Sequence, residues 1–104
     1  MTVDGSAPNL FLGAYHFDGD PAELLPAYHR LLEMFPPDSL VLHLCVVRDG
    51  GLTVFDACPS REVHAEFVRS PGFTGAVESC GLPTPRIEGL GDVHVARVAE
   101  AVRG

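Results

Sequence analysis

The chain has 104 residues, room for one domain, and carries 14 Asp and Glu against seven basic residues, all Arg, for a formal charge of −7. That acidity argues against a phosphate backbone or an anionic membrane surface as partner. Hydrophobic residues at 46% and charged residues at 20% describe a globular chain, not a disordered one. No apolar run approaches the ~20 residues that span a bilayer. The first nine residues lack the basic and apolar regions of a signal peptide. Three cysteines, Cys45, Cys58 and Cys80, make no disulfide framework, so a reducing cytoplasm is expected.

Residues 1–9 read as a tail, 10–98 as one domain and 99–104 as a second tail. Leu10 to Phe17 has strand length and aromatic content. Asp18-Gly-Asp-Pro21 stops it and starts a helix, with Asp20 as N-cap, Pro21 first and Glu23 three places on. Leu24, Leu25, Tyr28, Leu31, Leu32 and Phe35 share about 120° of a helical wheel, enough to face a core. Pro26 predicts a kink in the first turn, and Pro36-Pro37 ends the helix.

Leu40–Arg48 and Leu52–Cys58 read as strands joined by Asp49-Gly50-Gly51, the strongest turn signal present. Ser60 caps a helix containing Val63 and Phe67. Pro71-Gly72 interrupts it, and the apolar stripe shifts there, so two helical pieces are expected. Gly81 stops the second piece. A last strand lies within Arg86–Val98, strongest at Val93–Val98. Strand, helix, strand, strand, helix, strand is the split βαβ order of α+β ferredoxin-like domains, with both helices on one face of a four-stranded antiparallel sheet.

A two-residue Asp49–Gly50 turn sets Leu42 opposite Ala57, Leu44 opposite Phe55 and Val46 opposite Thr53. This face suits the helices. The other face carries Val41 opposite Cys58, His43 opposite Asp56, Cys45 opposite Val54 and Val47 opposite Leu52. It is too apolar for water. With the helices assigned elsewhere, a second copy is expected to cover it, giving a homodimer that encloses a space for a small apolar molecule. Cys45 and Cys58 are ~13 Å out of step along the sheet, so they are expected as free thiols.

His43 beside Asp56 fits an oriented acid/base group, or a buried polar pair that satisfies only itself. His94, placed on the last strand, is either a second acid/base group or an edge residue in water. Tyr15 could donate to a ligand, or be core with its hydroxyl at the rim. Gly13 in mid-strand predicts close approach by another group. His16, His29 and His64 read as surface residues. His64-Ala-Glu66 has no P-C-x-x-C after it, and no zinc pattern, dinucleotide fingerprint, P-loop or G-x-S-x-G occurs, so no metal or cofactor is expected.

The element order, Phe17-Asp-Gly-Asp-Pro21, Thr53-Val-Phe-Asp-Ala-Cys-Pro-Ser60 and Phe67-Val-Arg-Ser-Pro-Gly-Phe73 together resemble the dimeric α+β barrel proteins, in particular the antibiotic biosynthesis monooxygenase group of small bacterial proteins. The resemblance covers residues 10–98. It implies a two-fold dimer of sheets with a pocket between sheet and helices or against the sheet face. Some members of that group oxygenate aromatic polyketides without metal or flavin, through a substrate carbanion that reacts with oxygen. Others degrade haem, isomerise lactones or have no known reaction. Phe67, Cys58 and Asp56 stand where the group commonly has His, Trp and Glu. The resulting expectation is a cofactor-free oxygenase or isomerase. His43 is the base, Asp56 orients it, His94 and Tyr15 polarise the substrate, and Cys45, Val54, Cys58 and Phe67 line the ligand site. The alternative is a non-catalytic ligand-binding or structural dimer.

Overall fold

A computed structural model describes residues 10–35 and 42–97. The two tails, Pro36-Pro37 and Val41 lie outside those residues. The elements run β1 (Phe11–Asp18), α1 (Pro21–Leu32), β2 (Leu42–Arg48), β3 (Gly51–Cys58), α2 (Arg61–Arg69), α3 (Pro71–Cys80) and β4 (Arg86–Asp92). The four strands form one antiparallel sheet in the order β2-β3-β1-β4, an α+β ferredoxin-like arrangement.

Local signals set most element ends. The Asp20 carboxylate accepts from Ala22 N–H at 3.0 Å, with Pro21 in the first turn. The helix runs on through Pro26, whose ring is exposed. Ser70 does two tasks. Its hydroxyl donates to Phe67 C=O at 2.8 Å, closing α2, and accepts from Phe73 N–H at 3.2 Å, opening α3. Gly81 ends α3 in the left-handed region at φ 88°, where a Cβ would be strained.

The β2–β3 register matches the two-residue turn, with His43 opposite Asp56 and Cys45 opposite Val54. Gly50 takes the positive φ, 80°, that this turn demands. The faces are the reverse of those expected. The helices cover the His43, Cys45, Leu52, Val54, Asp56 and Cys58 side, not the Leu42, Leu44 and Val46 side. Tyr15, Phe17, Leu52 and Val54 pack there against Leu24, Tyr28 and Leu31 of α1 and Phe73 and Val77 of α3. The hairpin alone has two apolar faces and cannot choose between them. β1 chooses. Its bulky rings stand at odd positions, Phe11, Tyr15 and Phe17, and Tyr15 pairs with Val54. Rings of that size bury the most surface against helices, so the helices follow them. The face expected to meet a second copy is therefore already covered within one chain, except at its Val47 end, where that side chain is exposed.

The outer face has two halves. At one end, Asp18 accepts from Arg86 at 3.1 Å and Arg48 at 2.9 Å, and these bonds, Arg86 foremost, hold its carboxyl down to about 2. Thr53 accepts from Arg48 Nε at 3.0 Å and bonds His16, whose Nε2 meets Glu88. At the other end Leu44 and Val46 are 49% and 45% exposed, beside half-buried Leu12, Leu42 and Phe55.

The last strand is Arg86–Asp92, not Val93–Val98. Both segments have strand-like content. A strand, however, needs a partner, and β1 offers one only along its own length. The chain leaves α3 and pairs at once, Arg86 with His16, then runs out of β1 at Asp92 opposite Phe11. His94 follows in irregular chain and is exposed; Val98 lies outside the described residues.

The double role of Ser70 sets the break between α2 and α3. Ser70→Ala is expected to cost about 1 kcal/mol, measured by urea unfolding.

Candidate functional site

The inner sheet face brings together three side chains in a chain of hydrogen bonds. His43 Nδ1 lies 2.5 Å from Asp56 Oδ1, and His43 Nε2 lies 2.5 Å from the Tyr28 hydroxyl. A carboxylate only accepts, so Nδ1 carries the hydrogen, and in the neutral ring the Nε2 lone pair then receives the Tyr28 O–H. The Tyr28 and His43 rings are parallel within 2°. α1 supplies Tyr28, β2 supplies His43 and β3 supplies Asp56. The hairpin register brings the last two together, and the α1 stripe lowers Tyr28 onto them.

Cys45 lies beside the same tyrosine. Burial pushes the Tyr28 phenol up to about 12, helped by Cys45 and Asp56, so it keeps its proton at neutral pH. Burial raises the Cys45 thiol, opposed by Tyr28, and raises the Cys58 thiol together with Asp56. Both are free thiols, as the register implies.

A second group stands on the other side of Asp56. Tyr15 on β1 is buried, and desolvation followed by the Asp56 charge lifts its hydroxyl well above the usual phenol range. His64 on α2 is also buried, which corrects its expected surface position; Val63 is exposed instead. Burial lowers the His64 imidazole below its ordinary value near 6.5, with Asp56 opposing, so it is neutral at pH 7. The His64 ring lies over Gly13, where a Cβ would collide with Nε2. This is the close approach that a mid-strand glycine predicted. Phe11 and Phe73 wall the group.

Of the residues expected from sequence, His43, Asp56, Tyr15, Cys45, Val54 and Cys58 share this inner face. Phe67 is half-buried on α2 and packs against Phe73 at 4.7 Å and Phe35 at 6.3 Å. His94 is not brought here. It follows β4, at the sheet edge opposite β2. Sequence reasoning missed two members. Tyr28 stands in the sequence as one apolar position of the α1 stripe, and its hydroxyl is the available signal. His64 shares a helix face with Phe67 and Val68, and Gly13 was the matching gap. Among the described residues, no group of three or more His, Cys, Asp or Glu is placed to hold a metal ion, and no helix is long and apolar enough to cross a membrane.

No protein-family model and no curated protein matches the chain. The fold is shared with SnoaB. A crystal structure of SnoaB, a cofactor-independent oxygenase from Streptomyces nogalater, is 18% identical, with a TM-score of 0.50 over 88% of this chain and 94% of that one. A mutant form of SnoaB is also 18% identical, with a TM-score of 0.52 over 91% of this chain and 98% of that one. These neighbours lie in the antibiotic biosynthesis monooxygenase-like dimeric α+β barrel group that the sequence resembles. At that identity the likeness concerns the fold.

The Gly13–His64 contact makes a specific demand. Gly13→Ala is expected to destabilise the protein by about 1–3 kcal/mol through overpacking. Adding His64→Ala removes the clash, so a double-mutant cycle in thermal unfolding should return a coupling of about 1–2 kcal/mol.

Proposed function

We propose that this chain is a cofactor-independent oxygenase or isomerase acting on a small aromatic or enolisable metabolite, and that it works as a homodimer. The observation that carries the proposal is the Asp56–His43–Tyr28 chain. Asp56 fixes one tautomer of an imidazole, leaving its basic nitrogen against a hydroxyl that can pass protons. Two further points support it: the fold shared with SnoaB, and the apolar walls of the inner face.

The chemistry begins with a weakly acidic C–H or phenolic O–H. Tyr28 accepts that proton as it gives its own to His43 Nε2, so no tyrosinate accumulates. Asp56 stabilises the imidazolium that forms. The resulting carbanion is an electron donor. In an isomerase it takes a proton back at another carbon. In an oxygenase it gives an electron pair to dioxygen, takes up the proton held by His43 to become a hydroperoxide, and loses water to leave a carbonyl. The substrate supplies every electron.

Oxygen uptake over a panel of anthrones and naphthols tests this. His43→Gln and Asp56→Asn should each lower kcat by roughly 10²–10⁴-fold. Tyr28→Phe should lower it as well if the phenol relays the proton. A faster Tyr28→Phe enzyme would show that the phenol only blocks Nε2. Phe67 and Cys58, at the positions of the group's usual His and Trp, favour a second reading, a non-catalytic ligand-binding module. A wild-type protein that turns over none of the panel but carries a small molecule in native mass spectrometry would establish that reading instead.

The homodimer is assigned to the outer sheet face. Leu44 and Val46 are half exposed with Leu12, Leu42 and Phe55 around them, and contiguous apolar surface of this kind favours burial against a like surface. Light scattering should give twice the chain mass. Leu44→Glu with Val46→Glu should give a folded single chain. A monomeric wild type would sink the dimer and leave the inner-face site to stand alone.

A further inference from the structure

Two polar atoms on the inner face have no hydrogen-bond partner among the described residues: the Tyr15 hydroxyl and His64 Nε2. Tyr15 is 2% exposed and His64 6%, so water outside the protein does not complete them. Buried polar atoms in native proteins are paired, and exceptions call for a specific cause. The two rings are neighbours, with centroids 6.0 Å apart and planes tilted by 48°. They do not bond each other, although each has unused hydrogen-bonding capacity.

Aromatic rings surround the two atoms. Phe11 stands 5.2 Å from the His64 ring and Phe73 stands 5.5 Å from the Tyr15 ring, both measured between centroids. Asp56 is the charge that acts on both groups, and it is already bound to His43. The Arg61 guanidinium lies over the Phe11 ring at 5.0 Å and is exposed. A negative ligand would therefore meet a carboxylate. Gly13 shows that the imidazole position is built in, because any side chain there would push the ring out.

We propose that the Tyr15 hydroxyl and His64 Nε2 form a binding subsite for the hydroxyl of an uncharged phenol or enol, with Gly13 kept bare so that the imidazole reaches it. The ligand oxygen accepts from Tyr15 O–H and the ligand O–H donates to the Nε2 lone pair. One neutral hydroxyl thus completes both orphaned atoms, and the surrounding rings flank the ligand's aromatic body. This rests on the inner-face ligand site proposed above and makes it more specific. Tyr15 and His64 select and hold the ligand by its hydroxyl, while Tyr28 and His43 move the proton of its acidic C–H.

Binding of naphthol, naphthalene and naphthoate, followed by NMR of the ¹⁵N-labelled His64 ring, tests this. Naphthol should bind wild type about tenfold or more tighter than naphthalene, shift the Nε2 resonance, and outbind naphthoate. Tyr15→Phe keeps the ring and removes only the hydroxyl. It should lose that preference and bind naphthalene unchanged, as should His64→Leu. The subsite is overturned if naphthol and naphthalene bind alike, if the Nε2 resonance stays put, or if Tyr15→Phe retains wild-type naphthol affinity. None of these readouts involves turnover. Naphthol that engages Tyr15 and His64 while nothing in the anthrone and naphthol panel is consumed keeps the subsite and removes the oxygenase. Oxygen uptake in a protein with no hydroxyl preference does the reverse.

Discussion

The Asp49–Gly50 turn is the constraint on which the inner face depends. A two-residue turn with Gly50 at positive φ sets His43 opposite Asp56. One residue more would move every β2 side chain to the other face of the sheet. His43 would then point outward beside Leu44's present neighbours, and the Asp56 carboxylate would be buried without a partner. Such a buried charge costs far more than an exposed one. The hydrogen bond from Nδ1 and the turn geometry therefore support each other.

Which side of that hairpin becomes the interior is settled elsewhere. β1 carries three aromatic rings on one face, and pairing with β3 aligns them with Leu52 and Val54. Helices pack where most apolar area can be removed from water. Because of this, the polar pair of the hairpin lies beneath α1, where Tyr28 meets it. The outer face is left divided between an ion-paired end at Asp18, Arg48 and Arg86 and an apolar end at Leu44 and Val46. The division suits a surface that is partly wet and partly covered.

The interior is unusual in what it leaves incomplete. Many local choices in the scaffold agree with the fold: caps at Asp20, Ser60 and Ser70, the stop at Gly81, the ring alternation of β1. Against that consistency, Tyr15 and His64 stand out as buried polar groups without partners, and Gly13 is a weak strand residue placed beneath one of them. Departures of this kind concentrate where a protein meets a ligand.

The sequence by itself determined the element order, the caps at Asp20 and Ser60, an interruption of the second helix near Pro71-Gly72, though not that Ser70 makes it, and the pairing of His43 with Asp56. These are local properties, written in turn residues and in spacings of a few positions. It also carried Gly13 as the mark of a close neighbour, without naming the neighbour. Only the tertiary structure decided which hairpin face meets the helices, that β4 ends at Asp92 and leaves His94 outside, and that Tyr28 and His64 join the site. Each of those depends on residues far apart in the chain. Periodicity states that a face is apolar; it does not state what covers that face, nor how long a partner strand is. Those answers come from competition among all the apolar surfaces at once, and that competition is resolved in three dimensions.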